Sequence, residues 1–330
     1  MPFSEVTFHG RWLLEPSAAR ASAPATSFSF AFEGRSLAVE LEGEARFRIE
    51  IDGVETGELR TRERNLYVVA QNLEAGLHQA SIVKKTETEL GCISLFRIQP
   101  EPVPRSPSEP NSRSRLEFIG DSYTVGFGNM ARDPITGTAF TTTDATRSYG
   151  ALTAQKLGAN FQINAYSGRG LVQNYMGIAP RWNIPRLYEY ALGGEAMLGN
   201  SPPWDFSRFS PDVVCLFIGI NDWQGECCHP NPQLFDTAYA DFLNILRTHY
   251  ESPQFVLLST DIYPQNGLSE RVESVCAREI SKGNRDVRHL YLETPRNAGL
   301  DFHPHFARHE QMAKALFQEI QSFSRKKIVL

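Results

Sequence analysis

No apolar run in this sequence is long enough to cross a bilayer: the longest stretches, such as VVCLFIGI at Val213–Ile220, fall well short of the roughly 20 residues a spanning helix needs. The opening MPFSEVTFHG also lacks the basic-then-apolar order of an export signal. A large excess of either charge is lacking. Lys and Arg number 33 against 38 Asp and Glu, a net charge of -5, and no basic stripe supplies the phosphate-neutralising contacts on which nucleic-acid binding rests. Membrane and nucleic acid are therefore set aside as partners. Five cysteines in 330 residues make no disulfide framework, and the odd count leaves at least one free thiol. Low-complexity tracts and internal repeats are missing too. A chain that is 41% hydrophobic and 22% charged reads as folded and soluble, and its length suits two domains.

What is present divides at a proline-rich strap. From Phe28 to Ile98 the segments FSFAF, LAVEL, RFRIEIDG, LYVVA, HQASIVKK and CISLFRI alternate with period two and are broken by Gly, Asn or Asp, with a turn signal at Asp52-Gly53. This predicts a β-sandwich of jelly-roll type over residues 1–100, without a convincing helix. The stretch QPEPVPRSPSEPNSRS follows, with five prolines between Pro100 and Pro110; it can continue neither sheet nor helix, and residues 101–114 are expected to be a linker. Over residues 115–330 apolar runs (RLEFIG, FQINAYS, DVVCLFIG, QFVLLST, VRHLYL) alternate with helix-like segments such as SYGALTAQKLG, QLFDTAYADFLNILRTHY and SERVESVCAREISKG. That alternation predicts an α/β fold, a three-layer α/β/α sandwich of about five parallel strands.

In an open parallel sheet the residues just beyond the strand ends gather along one edge, where such folds place ligands. Here Gly120-Asp121-Ser122 follows the first strand, Ser167-Gly168-Arg169-Gly170 the second, and Gly219-Ile220-Asn221-Asp222 the third; after the fifth, a short loop leads to His303-Pro304. A hydroxyl, a glycine amide, a side-chain amide and an imidazole are the components of acyl transfer. Ser122 is a weak nucleophile until a base takes its proton, and His303 has the pKa for that task. The oxyanion of a tetrahedral intermediate requires donors: the N–H groups of Ser122 and Gly168 and the NH₂ of Asn221. Any one of these motifs alone is an ordinary turn; four behind separate strands, in this order, are hard to explain by turn chemistry.

Two clusters invite a metal reading. Cys227-Cys228-His229 lacks a second cysteine pair at finger-like spacing, and His305 with His309 lacks a carboxylate or thiol set to complete it. No metal and no organic cofactor is expected, and His305 and His309 read as solvated or capping residues.

The blocks IGDSYT, YSGRG, IGIND and DFHP resemble, in order, the four motifs of the SGNH hydrolase superfamily, while the G-x-S-x-G elbow of the α/β-hydrolases is absent, since Thr124 stands two residues after Ser122. With the N-terminal sandwich and its GLHQASIVKKTE, the stretch SYGALTAQKLGANFQINAYSGRGLVQNY and the D-aromatic-HP ending, nearly the whole chain resembles carbohydrate esterase family 2. The resemblance implies a serine esterase that removes O-acetyl groups from carbohydrates such as xylan and glucomannan, with a preference for the 6-hydroxyl. It implies Ser122 as nucleophile, His303 as base, and Ser122, Gly168 and Asn221 as oxyanion donors. The aspartate three residues before the histidine in many SGNH enzymes is Leu300 here; Asp301 stands two before, so either its carboxylate or a backbone carbonyl orients His303. Tyr175 and Phe302 match positions where the family places aromatics on its sugar, and Trp223 is a third candidate by position alone, with a packing role weighed beside it. The expected partner is an acetylated poly- or oligosaccharide; the oligomeric state is left open. A polysaccharide substrate implies export, so a secreted or periplasmic chain without its signal peptide is expected ahead of a cytoplasmic one. Two alternatives stand beside this reading: an esterase or thioesterase for other acyl groups, and a glycan-binding protein with a degenerate hydrolase domain.

Overall fold

The structure, a computed structural model, describes residues 3–104, 114–223, 229–294 and 298–326. Cys227, Cys228 and most of the proline-rich strap lie outside the described residues.

The N-terminal part is a β-sandwich of two five-stranded antiparallel sheets. Across one sheet the order is Thr7–His9, Ser27–Gly34, Gly76–Lys84, Ala45–Ile51, Val54–Thr61; across the other it is Leu13–Leu14, Ala19–Ala21, Ile93–Gln99, Leu37–Glu42, Asn65–Ala70. Alternation decides which side chains meet: Phe28, Phe30, Phe32, Phe47 and Ile49 of the first sheet pack with Val39, Leu41, Ile93 and Leu95 of the second in one core. All six strands expected from the pattern are present. The pattern does not show Val54–Thr61, because that edge strand is exposed over most of its length and carries no apolar face to alternate. It also misses the short strands before Phe28.

The second part is a parallel sheet of five strands: Arg115–Gly120, Asn160–Ala165, Val213–Phe217, Gln254–Ser259 and Val287–Tyr291, hereafter the first to fifth strands. Their spatial order is second, first, third, fourth, fifth, and every pairing is parallel. Successive side chains point to opposite faces. On one face Phe118 and Phe217 meet Tyr149, with ring centroids 6.0 and 5.9 Å apart, which places the helices Tyr149–Leu157 and Phe306–Lys326 there. On the other, Glu117 meets Tyr188, whose ring packs at 5.6 Å on Phe242 of helix Pro232–His249, and helix Leu268–Ser281 packs beside that helix. The result is the expected three-layer α/β/α arrangement.

The two parts share buried polar groups. Glu117, fully buried in the first strand, accepts hydrogen bonds from Gln162 (2.7 Å), Asn164 (2.6 Å) and the Tyr188 hydroxyl (2.8 Å), and the Arg11 guanidinium of the sandwich lies 3.5 Å away. Arg11 also donates to the carbonyls of Tyr188 and Tyr190 and lies over the Tyr188 ring. A buried carboxylate is tolerated only with such partners.

Candidate active site

The four strand-end segments converge. Ser122 opens the short helix Ser122–Val125, and Asp121, its N-cap, accepts the Tyr123 N–H at 3.0 Å. That cap fixes the turn from strand to helix, so Ser122 sits at the sheet edge with 6% of its surface exposed. Its Oγ lies 2.9 Å from His303 Nε2.

The other ring nitrogen settles the tautomer. His303 Nδ1 faces two main-chain oxygens, Leu300 O at 3.1 Å and Asp301 O at 3.2 Å. Carbonyls only accept, so Nδ1 carries the proton and Nε2 is left to accept from the serine hydroxyl. This corrects the triad reading of Asp301: its main chain, not its carboxylate, is on the ring, and its side chain is exposed. The physical reason is the backbone. Asp301 and Phe302 both have positive φ, 50° and 58°, which curls the turn so that carbonyls point at the imidazole. Burial lowers the pKa of His303, and the nearby Asp301 charge with the two carbonyls opposes that shift.

The base turn is sewn to the serine side. Leu300 N–H donates to Gly128 O at 3.1 Å, Asp301 N–H to Pro134 O at 2.8 Å, and Phe306 N–H to Asn129 O at 2.8 Å. A Cβ on Gly128, at φ +59°, would stand 2.3 Å from Leu300 Cβ, so only glycine permits this approach. His309 lies buried behind the turn; its Nδ1 accepts the Tyr149 N–H at 3.1 Å and so caps helix Tyr149–Leu157 from outside.

Gly168 adopts φ +74°, and the Tyr175 N–H closes the turn on its carbonyl at 2.9 Å. Among the described residues, the backbone N–H groups of Ser122 and Gly168 have no hydrogen-bond acceptor. Asn221, in the short helix Ile220–Trp223, joins the first two segments: its Nδ2 donates to Arg169 O at 2.9 Å and Asp121 Oδ2 at 3.1 Å. Both amide protons are thus engaged, and the longer bond is the one to Asp121. Burial, with Asp222 nearby, pushes Asp121 up to about 7.

Asp222 is a buried acid beside the site that the sequence reading did not single out. It is fully buried, and its carboxylate accepts the N–H groups of Leu171 (2.7 Å), Val172 (2.7 Å) and Gln173 (3.0 Å), which fixes the turn that follows Gly168. Burial pushes its pKa up to about 6 while the three N–H groups hold it down. The only sequence signal was its place beside Asn221.

The aromatics separate. Tyr175 and Phe302 are 39% and 47% exposed, the first bonded through its backbone to Gly168 and the second adjoining His303. Trp223 is 7% exposed and packs edge-on against Phe235 at 5.6 Å. Of the two roles weighed for Trp223 the packing one is seen, against the platform one: the short helix that aims Asn221 at the site turns Trp223 towards the core.

A family model described as "GDSL-like Lipase/Acylhydrolase family" matches residues 118–319, and one described as "Carbohydrate esterase 2 N-terminal" matches residues 8–107. An acetylxylan esterase / glucomannan deacetylase of Cellvibrio japonicus is 29% identical over 332 residues, covering 94% of this chain and 89% of the relative. Among solved structures, a family two carbohydrate esterase from Clostridium thermocellum in complex with cellohexaose superposes with a TM-score of 0.87 at 26% identity, over 96% of this chain and 98% of that one. A carbohydrate esterase family 2 enzyme with a carbohydrate binding domain, from Myceliophthora fergusii, gives 0.81 at 26% identity, over 96% and 98%.

Proposed function

This chain belongs to the GDSL-like lipase/acylhydrolase family and, within it, to carbohydrate esterase family 2, and we propose that it removes O-acetyl groups from carbohydrates through an acyl-enzyme. One observation carries the chemistry: Ser122 Oγ lies 2.9 Å from a His303 Nε2 that can only accept. The carbohydrate part rests on the relatives.

In this reading Ser122 Oγ attacks the acetyl carbonyl carbon while its proton passes to Nε2. The imidazolium formed is stabilised by the Leu300 and Asp301 carbonyl dipoles on Nδ1–H, the task a carboxylate performs in a triad. The oxyanion takes the Ser122 and Gly168 N–H groups, and Asn221 joins by giving up its longer bond to Asp121 Oδ2. His303 then protonates the leaving sugar oxygen as the C–O bond breaks. Water, deprotonated by Nε2, attacks the acetyl-serine, and Oγ leaves with that proton. Tyr175 and Phe302 are the exposed faces on which a pyranose would stack. A polymer is met outside the cell, so the proposal carries action beyond the cytoplasm with it.

The test is acetate release from 6-O-acetylglucose, acetylated glucomannan and acetylated xylan, with 4-nitrophenyl acetate compared to the octanoate. Release from at least one carbohydrate and faster cleavage of the acetate are expected. Cleavage of the octanoate without release from any carbohydrate would instead mark a longer-chain esterase, and glycan binding without release would mark a binding protein.

The pH profile follows from the base. His303 works neutral, and burial favours the neutral form, so activity is retained below the ordinary histidine value of 6.5 and is lost as pH falls through the lowered pKa. The acid-limb midpoint of kcat/KM is therefore expected below 6.5. A midpoint above it would show that a negative charge, and not burial, governs the ring.

A further inference from the structure

The turn that carries Gly168 is held from outside its own domain. Thr88 of the sandwich, 2% exposed, donates its hydroxyl to Ala165 O at 2.8 Å, across 77 positions of sequence. Ala165 is the last residue of the second strand, three before Gly168. The neighbouring Glu87 is also buried. Behind both, the fully buried Lys84 ammonium donates to the carbonyls of Ser22 (3.0 Å), Thr86 (2.9 Å) and Glu87 (2.9 Å), so the segment that reaches over is itself fixed. The same stretch grips the serine side: Ala145 N–H donates to Lys85 O at 2.9 Å, and the Lys85 ammonium lies 3.0 Å from the Asp144 carboxylate.

We propose that the sandwich is a working part of the oxyanion apparatus, in which Thr88 is a positioning residue that holds the Ala165–Gly168 turn so that the Gly168 N–H faces the reacting carbonyl. This rests on the reading of Gly168 as an oxyanion donor. Thr88 touches no substrate. Glycine at φ +74° has no side chain to lock its own N–H direction, and the two ends of the turn supply what it lacks: Asp222 after Gly168, and Thr88 before it.

The experiment compares wild type, Thr88→Val and Thr88→Ser on 4-nitrophenyl acetate and acetylated glucomannan, with thermal unfolding of each. Valine keeps the shape and removes the hydroxyl; serine keeps the hydroxyl. Because a small misplacement of a reacting group costs about 10- to 100-fold in rate, Thr88→Val is expected to lose that much kcat on both substrates with KM unchanged, and Thr88→Ser to regain most of it. An unchanged kcat in the valine variant overturns the proposal. So does a loss confined to glucomannan, which would make the segment a glycan contact, or a serine variant as slow as the valine one. Should Thr88→Val not fold, Thr88→Ala takes its place under the same criteria. A wild type that cleaves 4-nitrophenyl acetate but not glucomannan sinks the carbohydrate reading and leaves the Thr88 comparison standing; a wild type inactive on both sinks the two together.

Discussion

Ser122→Ala is expected to lower kcat/KM for an acetyl ester by about 10⁴-fold or more, by analogy with the loss of the nucleophile in serine hydrolases, and to leave the protein folded. The hydroxyl makes one contact that matters to the chemistry, the 2.9 Å bond to His303 Nε2, and alanine fits the space it vacates. Stability is set elsewhere in this turn, by Asp121 on the Tyr123 N–H and by the short helix behind it, neither of which the substitution touches. Some acceleration over water is expected to survive, because the two N–H groups proposed for the oxyanion, those of Ser122 and Gly168, remain in place. The measurement is a pair of progress curves on 4-nitrophenyl acetate beside two unfolding curves. Full activity in the folded variant would remove Ser122 as the nucleophile and send the search to another group within reach of His303.

How much of this site was legible depended on where the signal resides. Ser122, Gly168, Asn221 and His303 each stand directly behind a strand or a strand-end loop, and five buried strands are among the plainest patterns in the chain, so the sheet edge could be assembled from their ends. What held those residues was not legible, because the holding groups are mostly main chain. The partners of His303 Nδ1 are carbonyl oxygens that every residue possesses, and they reach the ring only because Asp301 and Phe302 take positive φ, which no side chain there announces. Asp222 and Thr88 act across 50 and 77 positions on backbone atoms, beyond the reach of local periodicity. The choice between platform and packing for Trp223 was left open for a related reason. Position beside Asn221 says that a residue is near the site, but in a short helix neighbouring side chains point in different directions, and packing against Phe235 and His229 shows which way this one went.

The second large effect belongs to Asp222. Asp222→Ala is expected to lower kcat by about 100-fold and to cost about 1–3 kcal/mol of stability or somewhat more, since it removes the acceptor of one buried and two half-buried N–H groups. The rate and stability losses share one origin. Leu171, Val172 and Gln173 are the residues immediately after Gly168-Arg169-Gly170, and Arg169 O is the shorter-held partner of the Asn221 amide at 2.9 Å. Releasing that turn therefore loosens two proposed oxyanion donors at once, Gly168 through its backbone and Asn221 through its anchor. Asp222→Asn separates the contributions: its one carbonyl oxygen can still accept, while its NH₂ meets an N–H, so the variant should fall between alanine and wild type in both unfolding midpoint and kcat. If alanine at 222 were to unfold the protein more easily yet leave kcat intact, Asp222 would be a structural acid only, and the precision of the Gly168 turn would have to come from the sandwich side alone.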